Sequence, residues 1–315
     1  MILPTIAKML VQEHRYRAIT GRVLCLGPQL VPMHQGEVDA LFQETPAGKA
    51  RALAEWREAG ADTATVSDEY FFHKFPISRL DSLDVVEGFG GTIIHDLNMP
   101  LPEMHHEQFD FILDGGTFDH LVQIGTAFQS VIQMLKPGGR VFHYNAASGY
   151  IGAAYVSFGP DLFYDYYVVN RFADCRIHLL RGTGPEAPDP FFVFYLPDAR
   201  TKQLNSAMHQ MVVCLAEKAA DSTCDVFPVE YTYRNREMGE EFERQRSRMI
   251  KESKRPMLTC ERPWWPTVRE ALKRTRIEAA YTVERYRAGK FRYAKFRRDR
   301  KRHRAGTGYA YLGRL

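Results

Sequence analysis

The stretch from residue 109 to residue 145 constrains the fold of this chain more than any other. A short apolar run at residues 111–113 stops at Asp114-Gly115-Gly116, and a second apolar run follows at residues 140–144. Between them, apolar residues recur three and four positions apart, as on one face of a helix: Leu121, Ile124, Phe128, Val131, Ile132 and Leu135. We therefore predict a strand, a helix starting at Thr117 or Asp119, a turn at residues 136–139 and a second strand. Together they form one βαβ unit.

This βαβ unit also predicts where ligands bind. Apolar runs buried on both faces are typical of parallel sheets, and open α/β sheets bind ligands outside the carboxyl ends of their strands. Residues 114–120 and 143–148 follow the two predicted strands and should share one rim. We expect the functional residues there.

The composition favours a globular protein with a full core. Of 315 residues, 45% are hydrophobic and 12% aromatic, which suits one large domain with an appendage. No run of about 18 apolar residues and no signal-peptide pattern occurs, so we expect a cytoplasmic protein without a transmembrane segment. The five cysteines are scattered and form no C-x-x-C pair, which predicts reduced, mostly buried thiols and no metal site.

Charge is distributed unevenly along the chain. From residue 232 to the end there are 25 Lys and Arg against 10 Asp and Glu, a net charge of +15, and the preceding residues carry −11. A mildly acidic body thus precedes a strongly basic end. A solvated, partly disordered tail is one interpretation of that end, and binding to nucleic acid or to an anionic membrane surface is another.

Further elements follow from pattern and capping. Strands are predicted at residues 22–26, 79–84, 91–95, 175–180 and 191–196. Helices are predicted within residues 1–20 and at residues 45–60, 70–75, 160–170, 202–220, 240–253 and 268–286. Residues 30–66 are interpreted as an insertion, and Ser67 as a helix N-cap.

Three segments, FDFILDGGTFDH, LKPGGRVFHYN and IIHDLNMPLP, resemble class I S-adenosylmethionine-dependent methyltransferases, particularly bacterial ones associated with sugar, glycan or natural-product biosynthesis. The resemblance covers roughly residues 1–198. It implies an α/β, Rossmann-like sheet of seven strands, mostly parallel with an antiparallel last strand. Residues 199–315 would then be a helical, basic C-terminal extension.

The resemblance also implies a site for S-adenosylmethionine. The turn Gly27-Pro28-Gln29 stands where the family has a glycine-rich loop, although only one glycine remains. An acid after the second strand of the family sheet would bind the ribose hydroxyls. Asp84 is our choice, Asp68 is the alternative, and Glu87 lies near enough to contribute.

Two more segments complete the predicted cofactor site. Asp96 would accept the adenine amino group, and the backbone N–H of Leu97 would meet the adenine ring. The loop Asp114-Gly115-Gly116, after the fourth strand, would contact the cofactor as well.

Methyl transfer to a hydroxyl benefits from a base beside the donor. His120 is the first candidate, Asp119 could orient it, and His143 is the second candidate. Either histidine is equally well interpreted as a structural imidazole.

Three functions remain open at this point. The first is O-methylation of a small molecule or saccharide. The second is a methyltransferase-like protein that binds or modifies RNA through the basic tail, and the third is a cofactor-binding scaffold without catalysis.

Overall fold

The computed structural model describes residues 1–43, 48, 65–87, 90–181, 191–195, 209–253 and 309–313. The chain divides into two compact units. The first contains residues 1–143 and 217–225 together with residue 315, and the second contains residues 144–216 and 226–314.

The first unit is built on a parallel sheet. Its elements are α1 (Pro4–Tyr16), β1 (Gly21–Leu26), β2 (Leu30–Val31), α2 (Gln35–Phe42), β3 (Val66–Ser67), α3 (Asp68–Phe72), β4 (Ile77–Asp84), β5 (Ile93–Ile94), β6 (Phe109–Asp114) and α4 (Ile124–Met134), followed by β7 (Leu135–Ser148), which continues into the second unit. The strand order is β5–β4–β1–β6–β7, and each neighbouring pair is parallel. Strands β2 and β3 form a separate antiparallel pair.

Strand β1 lies in the middle of this sheet because its apolar residues can be buried on both faces. Val23, Leu24, Cys25 and Leu26 are all fully buried. The strands that follow β1 add to one of its sides, and β6 then pairs with the other side. The order therefore reverses between β1 and β6, which makes the carboxyl end of this pair the topological switch point of an open α/β sheet.

A buried ion pair attaches α1 to the sheet. Arg140 of β7 is 2.6 Å from Glu13, and its guanidinium also donates to the carbonyls of Arg17 and Ala18. These acceptors satisfy a charge that would otherwise be costly to bury.

The second unit contains antiparallel strands and two helices. Its elements are α5 (Pro160–Val169), β8 (Asp174–Arg181), β9 (Phe191–Tyr195), β10 (Gln210–Glu217), α6 (Arg236–Glu252) and β11 (Tyr309–Gly313). The strand order is β11–β9–β8–β10, and β9 is antiparallel to both β8 and β11. Most aromatic residues of α5 are core residues, including the buried Phe163, Tyr166 and Tyr167.

All seven predicted strands are present, and those predicted at residues 175–180 and 191–196 are the antiparallel pair β8 and β9. Ser67 caps α3 by accepting a hydrogen bond from the amide of Tyr70, as predicted. The helices predicted at residues 160–170 and 240–253 are confirmed as α5 and α6.

Three predictions are wrong. The turn predicted at residues 136–139 is part of β7, which begins at Leu135 directly after the helix. Helix α4 begins at Ile124 and not at Thr117 or Asp119, because residues 118–120 form a separate 3-10 turn. The helix predicted at residues 202–220 is wrong in its described part, since Gln210–Glu217 is the strand β10, buried at all but its last residue. The C-terminal extension is therefore not purely helical, as β10 and β11 lie within it.

Several predictions lie outside the described residues. They are the helix at residues 45–60 apart from residue 48, the domain boundary near residue 198, the helix at residues 268–286 and the basic tail apart from β11. In the described part of the chain, no helix is both long enough and apolar enough to cross a membrane.

Candidate functional site

The carboxyl ends of the parallel strands bring the predicted site residues of the first unit to one rim, with His143 lying within β7, which continues to Ser148. Across the sheet the order is Asp96 after β5, Asp84 at the end of β4, Gly27 after β1, Asp114 at the end of β6 and His143 in β7. The strand register supports this, because Leu26 pairs with both Leu83 and Asp114, and Asp114 pairs with His143. Sequence reasoning predicted this common rim.

The switch point itself is closed by short polar contacts. Gly27 has a φ of +76°, in the region that favours glycine. The hydroxyl of Thr117 donates to the carbonyl of Leu26 at 2.6 Å, and this bond joins the loop after β6 to the end of β1.

Gln29 covers the first residue of the loop after β6. Its side-chain amide donates to the carbonyl of Gly27 at 2.9 Å, and a Cβ built on Gly115 would lie 2.3 Å from its Oε1 atom. Position 115 therefore requires glycine as long as Gln29 keeps this conformation. Pro28 lies between Gly27 and Gln29 in the same turn.

Asp68 lies close to this turn, although it does not follow β4. Its carboxylate accepts a hydrogen bond from the backbone amide of Gln29 at 2.7 Å, and its own backbone amide donates to the backbone carbonyl of Gln29 at 3.1 Å. Asp68 thus fixes the turn after β1.

Asp84 is a half-buried residue at the carboxyl end of β4. Its Oδ1 atom accepts a hydrogen bond from the amide of Val85 at 2.7 Å. The amide of His95 donates to the carbonyl of Asp84 at 2.9 Å, which brings the loop after β5 alongside it. Glu87 lies three residues further on and is exposed.

The loop after β5 forms a tight turn around Asp96. The Oδ1 atom of Asp96 accepts hydrogen bonds from the backbone amide of Asn98 at 2.9 Å and from its side-chain amide at 2.8 Å. Leu97 between them is only 2% exposed, so its side chain anchors the turn in the core. The imidazole of His95 is also hydrogen-bonded to the carbonyl of Met99, 3.2 Å away.

Asp114 and His143 form a buried pair beneath the rim. The Nδ1 atom of His143 is 2.8 Å from the Oδ2 atom of Asp114, and both side chains are fully buried. The imidazole also packs against the ring of Phe118, with centroids 4.8 Å apart. The other carboxylate oxygen of Asp114 accepts from the amide of Thr117 at 2.8 Å, so Asp114 orders the loop that follows β6.

His120 is the exposed histidine of this loop. It ends the 3-10 turn Phe118–His120, and its side chain is 59% exposed. The Oδ1 atom of the largely buried Asp119 is 3.7 Å from its Nε2 atom, within range of an ion pair but longer than a hydrogen bond. Exposure leaves the imidazole of His120 accessible to a substrate, in contrast to that of His143.

Sequence reasoning missed Asn98 and Thr117. Asn98 accepts hydrogen bonds from the amides of Val122 and Gln123, both at 2.9 Å, in addition to its contacts with Asp96. An asparagine two residues after an aspartate and just ahead of a proline-rich turn is a typical turn residue, so a local role was recognisable. Its partners 24 and 25 positions along the chain were not.

The chemistry available at the rim is carboxylate and amide hydrogen bonding. Among the described residues, no group of three His, Cys, Asp or Glu side chains is arranged to hold a metal ion. Burial raises the pKa of the Cys25 thiol in β1 well above its ordinary value, and the charge of Asp68 raises it further. The Cys25 thiol therefore stays protonated and is a core residue rather than a nucleophile.

No protein-family model matches the chain, and no curated protein matches it. Solved structures do match. One is a 1,6-didemethyltoxoflavin-N1-methyltransferase of Burkholderia thailandensis with bound S-adenosylhomocysteine, at 16% identity and a TM-score of 0.27, over 69% of this chain and 78% of that one. Another is a SAM-dependent methyltransferase of Archaeoglobus fulgidus, at 13% identity and a TM-score of 0.36, over 67% and 94%.

A third match is the phosphoethanolamine N-methyltransferase 2 of Haemonchus contortus in complex with S-adenosyl-L-methionine. It is 14% identical with a TM-score of 0.37, and the match covers 67% of this chain but only 52% of the Haemonchus chain. All three TM-scores are below 0.5, so the assignment of an α/β fold rests on the strand order and pairing of the chain itself.

Proposed function

We propose that this chain is an S-adenosylmethionine-dependent methyltransferase that methylates a hydroxyl of a small molecule or saccharide. The observation that carries the proposal is the pair of carboxylates, Asp84 and Asp96, at the ends of the neighbouring strands β4 and β5, next to the switch point of the sheet. A nucleoside offers two ribose hydroxyls and an adenine amino group as donors, and two adjacent carboxylates are matching acceptors.

The residues at the rim fit such a ligand. In the described part of the chain, the Oδ2 atom of Asp96 accepts no hydrogen bond, while its Oδ1 atom is held by Asn98. Asp84 would bind the ribose hydroxyls, Asp96 the adenine amino group and the amide of Leu97 the adenine ring. Two loops would line the part of the site that receives the methionine group. They are the turn Gly27-Pro28-Gln29 after β1 and the loop Asp114-Gly115-Gly116 after β6.

When bound, S-adenosylmethionine supplies an electrophilic methyl group on a sulfonium. The residues of this chain have to align an acceptor with that methyl group and remove the proton of a hydroxyl. His120 is the group proposed for proton removal, because its imidazole is exposed on the loop that Asp114 and Thr117 order. Asp119 would orient it. His143, the second candidate base, is fully buried against Asp114 and could act only if that pair opened toward the acceptor.

Titration calorimetry with S-adenosylmethionine and S-adenosylhomocysteine tests the proposal directly. We expect both to bind with a stoichiometry of one and to compete with each other. Transfer of a labelled methyl group to a panel of phenols, sugars and hydroxy acids then separates an enzyme from a cofactor-binding scaffold. Absence of binding by the folded protein would reject the proposal, and binding without transfer would favour the scaffold.

The basic end of the chain supports a second candidate, a methyltransferase-like protein that binds nucleic acid. The supporting observation is the net charge of +15 after residue 231, in which arginine and lysine alternate with tyrosine and phenylalanine near residues 285–298. An anionic membrane surface would attract the same charges and is the alternative partner.

A further inference from the structure

Asn98 connects two loops of the rim through its backbone amide and both polar atoms of its side chain. Its backbone amide and its side-chain amide donate to the same oxygen of Asp96, and its side-chain oxygen accepts from the amides of Val122 and Gln123. The four distances lie between 2.8 and 2.9 Å. Asn98 is partly buried, so these contacts compete with water only in part.

The first consequence concerns the carboxylate of Asp96. Two donors on Oδ1 fix the plane of the carboxylate, and they leave Oδ2 as the oxygen that can receive another donor. An aspartate on an exposed turn would otherwise sample several rotamers, and ordering it on ligand binding would reduce the affinity.

The second consequence concerns the segment that carries His120. Residues 117–123 are held at one end by the bond from Thr117 to the carbonyl of Leu26 and at the other end by Asn98. Without Asn98, the amides of Val122 and Gln123, which belong to exposed residues, would be bound only to water. Asn98 therefore ties the segment that carries His120 directly to the turn that carries Asp96.

We propose that Asn98 is a positioning residue that orients Asp96 toward the adenine amino group and at the same time fixes the segment that carries His120. This inference rests on the proposed function, because it names a nucleoside as the ligand of Asp96. It couples the turn around Asp96, which would bind the cofactor, to the segment of residues 117–123, which carries the proposed base His120.

The variant Asn98→Asp separates positioning from simple turn formation. Aspartate keeps the oxygen that accepts from Val122 and Gln123, and it forms the same kind of turn. It replaces the donor to Asp96 by a second carboxylate at the same short distance, so the pair shares a proton with a raised pKa. We expect the variant to bind S-adenosylhomocysteine about tenfold more weakly than the parent at pH 8.

Lowering the pH should rescue this variant. Below the raised pKa of the pair, a proton between the two carboxylates restores a hydrogen bond to Asp96, so the affinity ratio between parent and variant should approach one near pH 5. The matched control is Asn235→Asp. Asn235 caps α6 by accepting a hydrogen bond from the amide of Met238, and its replacement should change neither the affinity nor its pH profile.

Hydrogen exchange provides a readout that needs no cofactor. The amides of Val122 and Gln123 should be protected in the parent and in Asn98→Asp, and they should exchange rapidly in Asn98→Ala. Unchanged protection in Asn98→Ala would overturn the coupling, and parent-like affinity of Asn98→Asp at pH 8 would overturn the orientation of Asp96. If the parent itself binds no S-adenosylhomocysteine, the proposed function and the nucleoside are rejected together, while exchange still decides the contact between the loops.

Discussion

Individual carboxylates on the rim have separate tasks, which their partners define. Asp114 orders a loop from a buried position, Asp68 fixes the turn after β1, and Asp96 keeps one oxygen without a partner among the described residues. Replacement of each should therefore affect a different property. Loss of Asp114 should reduce stability, and loss of Asp96 should reduce ligand affinity.

Asp96→Ala should weaken the binding of S-adenosylmethionine without unfolding the chain. A lost hydrogen bond to a charged group costs about 1–3 kcal/mol of binding free energy. Calorimetry on the folded variant measures this change. Glu103→Ala is the control, because Glu103 is an exposed acid in the 3-10 turn that follows. Parent-like affinity of Asp96→Ala would show that the adenine group binds elsewhere.

His120→Ala should lower turnover far more than it lowers cofactor affinity. Loss of a general base typically reduces the rate about 10²–10⁴-fold, while the cofactor is held by other strand ends. Turnover per cofactor-loaded molecule is the quantity to measure, with the exposed His73→Ala as the matched control. Unchanged turnover would transfer the role to His143 or indicate a reaction without a protein base.

Elements defined by local sequence patterns were predicted correctly, whereas element ends set by contacts between distant residues were not. The strand–helix–strand order of the βαβ unit was predictable because its hydrophobic periodicity is local, whereas the turn expected at residues 136–139 belongs to β7. The start of α4 was not predictable, since the carboxylate of Asp114 and the side chain of Asn98 hold residues 117–123 out of the helix. Strand β10 was predicted as a helix because its apolar run is buried almost throughout and shows no alternation.

The carboxyl end of α4 depends on a lysine from a distant part of the chain. The ammonium group of Lys218 donates to the carbonyls of Ile132 and Leu135 at 3.0 and 2.7 Å, and its side chain is 8% exposed. Lys218→Met keeps the apolar stem and leaves these carbonyls unsatisfied. We expect the free energy of unfolding to fall by about 1–3 kcal/mol in denaturant titrations.

Lys136→Met is the control for this prediction. Lys136 forms a partly exposed ion pair with Asp110, and such pairs contribute less than about 1 kcal/mol. Equal destabilisation by the two substitutions would contradict the capping role of Lys218.

Helix α5 carries a buried acid that makes stability depend on pH. Burial raises the pKa of Asp165 from its ordinary 3.8 to about 7, although Arg234 forms an ion pair with it and opposes the shift. The folded state therefore binds more protons than the unfolded state between these two values. The free energy of unfolding should fall as the pH rises from about 4 to about 7.

Asp165→Asn should remove most of this slope, because the amide does not titrate. Melting temperatures of parent and variant at a series of pH values measure the difference. Glu240→Gln, at an exposed position of α6, should leave the slope unchanged. A parent whose stability rises through this range would show that the ion pair with Arg234 outweighs burial.

The charge asymmetry of the chain gives the basic end a test of its own. Replacement of Arg297, Arg298, Arg300, Lys301 and Arg302 by serine removes five positive charges and keeps the residues of β11. If the end binds nucleic acid, the affinity of the parent for single-stranded RNA should fall steeply with salt, and the variant should bind weakly with a smaller salt slope. Binding that ignores salt would argue against phosphate contacts.

The same experiment separates the two candidate partners. If the basic end is attracted to membranes, the parent should bind vesicles that contain an anionic lipid more tightly than it binds RNA. Methyl transfer to small acceptors by the serine variant should equal that of the parent, since the rim residues are unchanged. A loss of that activity would indicate that the basic end takes part in the reaction.

The central position of β1 has a consequence for synthesis of the chain. Val23 pairs with Leu80 on one side and with Phe111 on the other, so both neighbours of this strand are translated long after it. Until residue 114 has left the ribosome, the apolar residues of β1 have no complete sheet to join, and long-range parallel pairing is slow. Nascent chains that stop before β6 should therefore depend on chaperones, whereas chains extended beyond β7 should not.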